Sequence, residues 1–141
     1  MIKKYTYGTP FETEAVVVDI KAESTPEYGT VSCENGFCFE YQMEKQDTVF
    51  GLGESNRGIN KRGYLYISNC TDDPEHMEHK VSLYGAHNFI VVSGKKSFGL
   101  FVDYPATVCF DIGYTHSDIL KITCDDDNLN LYVIEGESAY V

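Results

Sequence analysis

Tryptophan is absent from this sequence, and positive charge is scarce, with 11 Lys and Arg residues against 22 Asp and Glu residues. The resulting net charge of −11 repels phosphate backbones and anionic lipid headgroups. Nucleic acid and membrane surfaces are therefore not expected as partners, whereas a neutral ligand or a protein surface is compatible with this charge. The lack of tryptophan leaves 11 Tyr and 8 Phe residues as the aromatic side chains.

Long apolar runs are also missing. The start of the chain is basic but lacks the apolar core of a signal peptide, and no run approaches membrane-spanning length. The five cysteines form no C-x-x-C pair, and their odd number leaves at least one thiol unpaired, which favours a reducing compartment. Cys38 and Cys109 lie in apolar strand patterns, where we expect small buried hydrophobic groups. These features predict a cytoplasmic protein.

Alternation of apolar and polar residues dominates the chain and predicts β-strands. In segment 37–44 every second residue from Phe37 to Met43 is apolar. Comparable runs are 14–21, 63–68, 89–93, 98–104, 107–112, 119–124 and 129–134. Turn-forming residues at 93–96 and at 125–128 predict two hairpins. Without a helical apolar period, the 141 residues predict one all-β domain, 1–141, an antiparallel β-sandwich.

Two polar segments interrupt the strands. Segment 51–63 contains four glycines but lacks the third glycine of a dinucleotide fingerprint, so a structural loop is favoured over a phosphate cradle. We expect Glu54 to pair with Arg57 or Arg62 in this loop. Segment 71–80 is rich in carboxylates and imidazoles, yet its two histidines lack metal-site spacing. A solvated acidic loop is therefore favoured over a metal site, and no cofactor is predicted.

Asp72 and Asp73 in this segment are adjacent carboxylates. Retaining glycosidases place two carboxyl groups about 5–5.5 Å apart across the scissile bond. Neighbours in an extended segment point to opposite sides, so these two do not form a catalytic pair. One of them can accept hydrogen bonds from sugar hydroxyls, and bonds to a charged acceptor are strong. The sequence thus favours sugar binding over catalysis here.

Six phrases then stand in a specific order and spacing. They are Phe50-Gly51-Leu52-Gly53-Glu54, Asn60-Lys61-Arg62-Gly63-Tyr64, Leu83-Tyr84-Gly85-Ala86-His87-Asn88-Phe89, Ser97-Phe98-Gly99-Leu100-Phe101, Phe110-Asp111-Ile112-Gly113 and Tyr132-Val133-Ile134-Glu135-Gly136. Together they resemble the N-terminal β-sandwich domain of glycoside hydrolase family 31, the α-glucosidases, over about residues 49–136. The family usually has Tyr where Phe50 stands and Pro where Asn88 stands. The resemblance implies a galactose mutarotase-like supersandwich.

The resemblance also implies a sugar-binding residue and a function. In the family, the strand similar to 64–69 precedes a loop that reaches the mouth of a (β/α)₈ barrel and places an aspartate beside the sugar. Asp73 is the favoured match to this aspartate, and Asp72 is the second. The alternative is that both are solvated turn residues that do not bind sugar. The barrel of the same polypeptide would supply two catalytic aspartates that hydrolyse α-linked glucose from nonreducing ends of oligosaccharides. The 141 residues contain neither, so this chain alone is expected to be inactive.

The domain would support the barrel and form one wall of the substrate entrance. Assembly into a homo-oligomer is also compatible with the sequence. Two alternatives compete. The first is a stand-alone carbohydrate-binding module, which the sandwich suits but the lack of tryptophan disfavours. The second is an aldose epimerase, because galactose mutarotase has a similar fold and needs a histidine and a carboxylate, for which His87 and Glu54 are candidates.

Overall fold

The computed structural model describes residues 1–12, 19–55, 57–70, 74–75, 77–81 and 85–139. Within these ranges the chain forms strands and loops, and no helix there has the length and apolarity to cross a membrane. The strands are β1 Ile2–Tyr7, β2 Ala22–Glu23, β3 Thr30–Ser32, β4 Cys38–Gln42, β5 Thr48–Gly51, β6 Tyr64–Ser68, β7 Phe89–Ser93, β8 Phe98–Asp103, β9 Val108–Ile112, β10 Ile119–Thr123 and β11 Leu129–Glu135.

The strands form two sheets that enclose one core. The six-stranded sheet has the order β2-β1-β11-β8-β7-β5, and the five-stranded sheet has the order β3-β4-β10-β9-β6. Every named pair is antiparallel except β1 with β2. Alternate side chains from both sheets, such as Leu100 and Phe110, are completely buried between them. The predicted all-β antiparallel sandwich is therefore confirmed.

Most predicted strands are found, and four further strands were not predicted. The runs from 37 onward correspond to β4 and to β6–β11, whereas residues 14–18 of the run 14–21 lie outside the described residues. The first unpredicted strand, β1, contains Lys3 in an otherwise apolar alternation. Its ammonium contacts Glu27 over 2.6 Å and Glu135 over 3.1 Å. These ion pairs with residues distant in sequence stabilise a lysine at a strand position where the local pattern favours an apolar residue. The others, β2, β3 and β5, have two to four residues each.

One of the two predicted hairpins is correct. Segment 93–96 joins β7 to β8, which pair with each other. Segment 125–128 does not form a hairpin, because β10 belongs to the five-stranded sheet and β11 to the six-stranded sheet. The carboxylate of Asp126 accepts the main-chain N–H groups of Asp127 and Asn128. This local turn reverses the chain whichever sheet follows, so the turn residues alone did not decide the pairing.

The cysteines also differ from expectation. Cys38 and Cys109 are half-buried rather than buried, and both face away from the core on the five-stranded sheet, in register with Thr123. The buried thiol is that of Cys124. Burial raises its pKa to about 12, which keeps it protonated and unreactive at neutral pH.

Candidate functional site

The candidate site is the polar end of β6, where the chain leaves the five-stranded sheet. The favoured sugar ligands Asp73 and Asp72 follow this strand but lie outside the described residues, as does His76. The described residues show how the base of the loop is built. Its outgoing arm is Asn69 and Cys70, and its returning arm is 77–81.

Main-chain hydrogen bonds close this loop at its base. The N–H of Ile67 in β6 donates to the carbonyl oxygen of Val81 over 3.0 Å. A turn within the returning arm is held by the N–H of Lys80, which donates to the carbonyl oxygen of Met77 over 3.0 Å. The loop therefore leaves β6 and returns to it, and the segment that contains Asp72 and Asp73 is bounded by fixed main chain.

Arg57 fixes the returning arm from the neighbouring glycine-rich loop. Its guanidinium donates to the carbonyl oxygens of Leu65 over 3.1 Å, Glu78 over 2.8 Å and His79 over 2.9 Å. Arg57 has a φ of 72°, a left-handed conformation that costs a residue with a Cβ atom about 1–2 kcal/mol. A planar cation with several donors is suited to binding three carbonyl groups at once. The arginine thus joins β6 to the returning arm.

The same guanidinium lies over two tyrosine rings. Its carbon is 4.9 Å from the ring centre of Tyr64 and 5.7 Å from that of Tyr66. These distances permit cation–π attraction with both rings. Tyr64 is 42% exposed and Tyr66 only 2% exposed, so the first ring faces solvent and the second packs in the core. Tyr64, at the start of β6, therefore offers an exposed aromatic ring beside Arg57.

Lys61 is a second cation below this surface. Its side chain is 5% exposed, and its ammonium donates to the carbonyl oxygens of Gly58 over 2.6 Å and Ser55 over 3.3 Å. Burial lowers the pKa of Lys61 below its ordinary value. The ammonium lies 5.8 Å from the centre of the Tyr66 ring. Lys61 therefore binds the turns of the glycine-rich loop internally and is not positioned as a surface ligand.

A small cavity lies beside these residues. It has a volume of about 20 Å³, which is room for about one water molecule. Its lining residues are Leu52, Glu54, Ser55, Tyr66, Ile67, Ser68, Asn69, Val81, Gly85 and Ala86. The hydroxyl groups of Ser55 and Tyr66 are buried and have no hydrogen-bond partner among the described residues. Burial raises the pKa of Tyr66 to about 12.

The predicted pairing of Glu54 with Arg57 or Arg62 is wrong. Arg62 donates to main-chain oxygens, including those of Glu44 over 2.6 Å and Asp47 over 2.8 Å, as Arg57 does elsewhere. The carboxylate of Glu54 instead lies against Gly85, where a Cβ atom would be 2.9 Å from its Oε2. The two arginines thus bind main-chain carbonyl groups of the loops, and an exposed ion pair with Glu54 would contribute little stability.

The two epimerase candidates lie on neighbouring segments. His87 packs against Gly53, which has no room for a side chain, and Glu54 packs against Gly85. Segments 53–54 and 85–87 therefore lie side by side. No hydrogen bond joins the two side chains among those that the structure describes, so the epimerase assignment stays a hypothesis.

Asn88 is a structural residue of the site that sequence reasoning missed. Its Oδ1 accepts a hydrogen bond from the hydroxyl of Ser68, and its Nδ2 donates to the carbonyl oxygen of Tyr104 over 3.2 Å. Ser68 ends β6 in one sheet, whereas Tyr104 follows β8 in the other. The amide therefore joins the two sheets beside the loop. The signals for it were a polar residue between His87 and an apolar strand, and its place where the family usually has Pro.

Metal binding has no support in the part of the chain that is described. Among those residues no three His, Cys, Asp or Glu side chains lie close enough to hold an ion. The segment with the predicted acidic cluster is described only at 74–75 and 77–80. The arrangement around β6 is suited to holding the returning arm in place beside the strand.

Comparisons with known proteins agree with this architecture. The family model "Glycosyl hydrolase 31 N-terminal galactose mutarotase-like domain" matches residues 3–111. An α-glucosidase of Saccharolobus solfataricus is 25% identical over 96% of this chain. A Flavobacterium johnsoniae dextranase of glycoside hydrolase family 31 superposes on 76% of the chain with a TM-score of 0.69 and 23% identity. A cycloalternan-forming enzyme of Listeria monocytogenes superposes on 79% with a TM-score of 0.63 and 18% identity.

The matched proteins are much longer than this chain. The matched part of the chain spans 20% of the α-glucosidase, 13% of the dextranase and 10% of the cycloalternan-forming enzyme. The structural likeness establishes a shared fold. The greater part of each relative lies outside the region that this chain matches.

Proposed function

Because the chain belongs to the family of N-terminal galactose mutarotase-like domains of glycosyl hydrolase 31 enzymes, we propose that it is the non-catalytic N-terminal domain of an α-glucosidase. Its partner is the catalytic (β/α)₈ barrel of the same polypeptide. The domain supports this barrel and lends the loop after β6 to the sugar-binding entrance. The barrel carries out the retaining hydrolysis of α-linked glucose at nonreducing ends, with an α-glucoside oligosaccharide as substrate.

The observation that carries the proposal is the anchored base of the loop after β6. The Ile67–Val81 main-chain bond and the three carbonyl contacts of Arg57 hold the returning arm at a defined place beside β6. A ligand-binding loop needs such support, because the affinity for the sugar falls when the loop must first become ordered. Asp73 is the proposed sugar ligand, with Asp72 second, because a carboxylate accepts strong hydrogen bonds from sugar hydroxyls.

The substrate class has two further supports. One matched relative is an α-glucosidase, and one structure of the matched dextranase contains isomaltotriose. We also propose a cytoplasmic location for the protein. All five cysteines are free thiols, and Cys70 is exposed, which suits a reducing compartment.

The experiment expresses the whole polypeptide encoded by the gene and, in parallel, residues 1–141 alone. Both proteins are assayed with p-nitrophenyl α-glucoside. We expect turnover by the whole polypeptide and none by residues 1–141. Turnover by residues 1–141 would contradict the non-catalytic role, and a whole polypeptide without turnover would contradict the α-glucosidase assignment.

The competing binding-module function is tested on residues 1–141 alone. Calorimetric titration of residues 1–141 with maltose and isomaltose measures binding without the barrel. The exposed ring of Tyr64 is the feature that would favour it, because an aromatic face can stack on a sugar ring. Millimolar or tighter affinity of the isolated domain would support the module, whereas we expect no measurable heat.

A further inference from the structure

The outer face of the six-stranded sheet is apolar, although it does not face the core. In β8, Phe98, Leu100 and Val102 belong to the core between the sheets, so Gly99, Phe101 and Asp103 point outward. The same alternation in the neighbouring strands directs Phe89 and Val91 of β7 and Tyr132 and Ile134 of β11 to the outside. Hydrophobic side chains therefore cover this part of the sheet, and a polar row of Thr6, Asn130 and Asp103 borders them.

Strand register arranges this layer in two rows. The first row runs through residues that are paired across four strands, namely Lys4, Tyr132, Phe101 and Phe89. The second row runs across five strands through Ile2, Ile134, Gly99, Val91 and Phe50. Residues directly opposite each other on one face lie within contact distance. The two rows thus form one continuous apolar surface, with a single lysine at its edge.

Contacts within the surface confirm that it is packed. The rings of Phe101 and Tyr132 have centres 5.9 Å apart. The Phe89 ring covers Gly99, where a Cβ atom would lie 3.0 Å from its Cε2 and 3.4 Å from the Cβ of Ile134. Tyr132 is only 4% exposed although it lies outside the core, and burial raises its pKa. Phe89, Val91, Phe101 and Ile134 remain half-exposed.

The outer face of the five-stranded sheet is charged along its central row, although Leu65, Ile67 and Ile119 also lie on this face. Its central row pairs Glu40 with Lys121 and Lys121 with Asp111. The Lys121 ammonium lies 3.4 Å from a Glu40 carboxylate oxygen. Charged outer positions are the ordinary arrangement for a sheet that faces water. One sandwich therefore has one face suited to solvent and one suited to a partner.

We propose that the apolar face of the six-stranded sheet, from Phe50 to Ile134, docks on the catalytic barrel of the same polypeptide. This inference rests on the proposed function. The α-glucosidase and the cycloalternan-forming enzyme are about five and eight times as long as this chain, so in these relatives most of the polypeptide lies outside the matched domain and is linked to it covalently. Domain interfaces bury about 600–1,500 Å². A surface that is nearly uncharged fits a partner surface that is equally apolar, whereas a chain with a net charge of −11 disfavours contact with a second copy of itself.

The test replaces a central residue on each outer face by lysine in the whole polypeptide. Phe101→Lys introduces a charge into the apolar face, and the matched control Thr123→Lys introduces one into the charged face, also on an inner strand. Differential scanning calorimetry follows unfolding. We expect one cooperative transition for the parent and for Thr123→Lys, and two separate transitions for Phe101→Lys because the domain is uncoupled from the barrel.

A second variant, Val91→Lys, protects the test against a folding defect at Phe101. Residues 1–141 alone are measured with the dye 8-anilinonaphthalene-1-sulfonate, with far-ultraviolet circular dichroism as the folding control. We expect strong dye fluorescence for the parent and for Thr123→Lys, and at least a twofold loss for folded Phe101→Lys and Val91→Lys. Dye binding that neither lysine reduces would overturn the assignment of the face.

The outcomes separate this inference from the function on which it rests. A single transition for Phe101→Lys and Val91→Lys in a polypeptide that still hydrolyses p-nitrophenyl α-glucoside would overturn the docking face and leave the proposed function intact. A polypeptide without hydrolysis would overturn the function instead. Sedimentation of residues 1–141 as a dimer that Phe101→Lys dissociates would assign the face to a second copy and overturn the barrel as its occupant.

Discussion

Arg57 and Glu78 are joined by two hydrogen bonds although they are 21 positions apart. The guanidinium Nε donates to the carbonyl oxygen of Glu78 over 2.8 Å, and the main-chain N–H of Arg57 donates to its carboxylate over 3.1 Å. The two bonds fix the relative position of the glycine-rich loop and the returning arm. The left-handed backbone of Arg57 turns its N–H and its side chain toward the same neighbour.

The first prediction separates the side chain of Arg57 from its backbone conformation. Arg57→Ala removes three charge-assisted bonds and keeps a Cβ atom in the left-handed region, so we expect a loss of about 2–3 kcal/mol in the free energy of unfolding. Arg57→Gly removes the same bonds but relieves the backbone, and we expect a loss smaller by up to about 1 kcal/mol. Urea unfolding measures both values. Two variants as stable as the parent would show that the arginine does not anchor the loop.

The second prediction concerns the hydroxyl of Tyr66 at neutral pH. A buried hydroxyl without a partner costs free energy, so Tyr66→Phe should raise the free energy of unfolding by about 1 kcal/mol. Tyr64→Phe is the control, because its exposed hydroxyl should change stability by less than about 0.5 kcal/mol. Urea unfolding at pH 7 distinguishes them. A loss of stability in Tyr66→Phe would mean that the hydroxyl binds a water molecule in the adjoining cavity.

The third prediction follows the buried tyrosines to alkaline pH. Burial raises the pKa of Tyr66 and of Tyr7 to about 12, against about 10 in the unfolded chain. Between these values the folded state holds more protons than the unfolded state, so stability falls as the pH rises. Linkage limits the slope to about 1.4 kcal/mol per pH unit for each tyrosine.

The measurement is the free energy of unfolding between pH 10 and pH 12. Tyr66→Phe and Tyr7→Phe should each make the decline less steep, and their effects should add in the double variant. A decline with the same slope in the double variant would assign the alkaline instability to other groups.

The fourth prediction tests the two predicted sugar ligands in the whole polypeptide. Asp73→Asn keeps the shape of the side chain and removes its charge, so we expect kcat/KM for maltose to fall about 10–100-fold. Asp72→Asn should stay within about twofold if its side chain points away from the sugar. Steady-state kinetics measure both. A larger loss of kcat/KM in Asp72→Asn than in Asp73→Asn would assign the sugar contact to Asp72. If neither substitution changes kcat/KM, both aspartates are solvated loop residues without a sugar contact.

Local patterns predicted the parts of this fold that alternate strongly. The runs that became β4 and β6–β11 have apolar residues at every second position, and burial of one face requires no more than that. Strand β1 was missed because Lys3 is stabilised by Glu27 and Glu135, which are distant in sequence. Segment 51–63 was predicted as a structural loop, and its four glycines have positive φ angles, but the predicted partner of its arginines was wrong.

The sequence by itself determined the fold class, the family and the place where the loop leaves β6, because alternation and ordered motifs are local properties of the chain. The tertiary structure decided that segment 125–128 carries the chain between sheets and that Arg57 binds Glu78 rather than Glu54. It also brought Phe101 beside Tyr132 on an outer apolar face. Each of these depends on register between strands far apart in sequence, which no local pattern encodes.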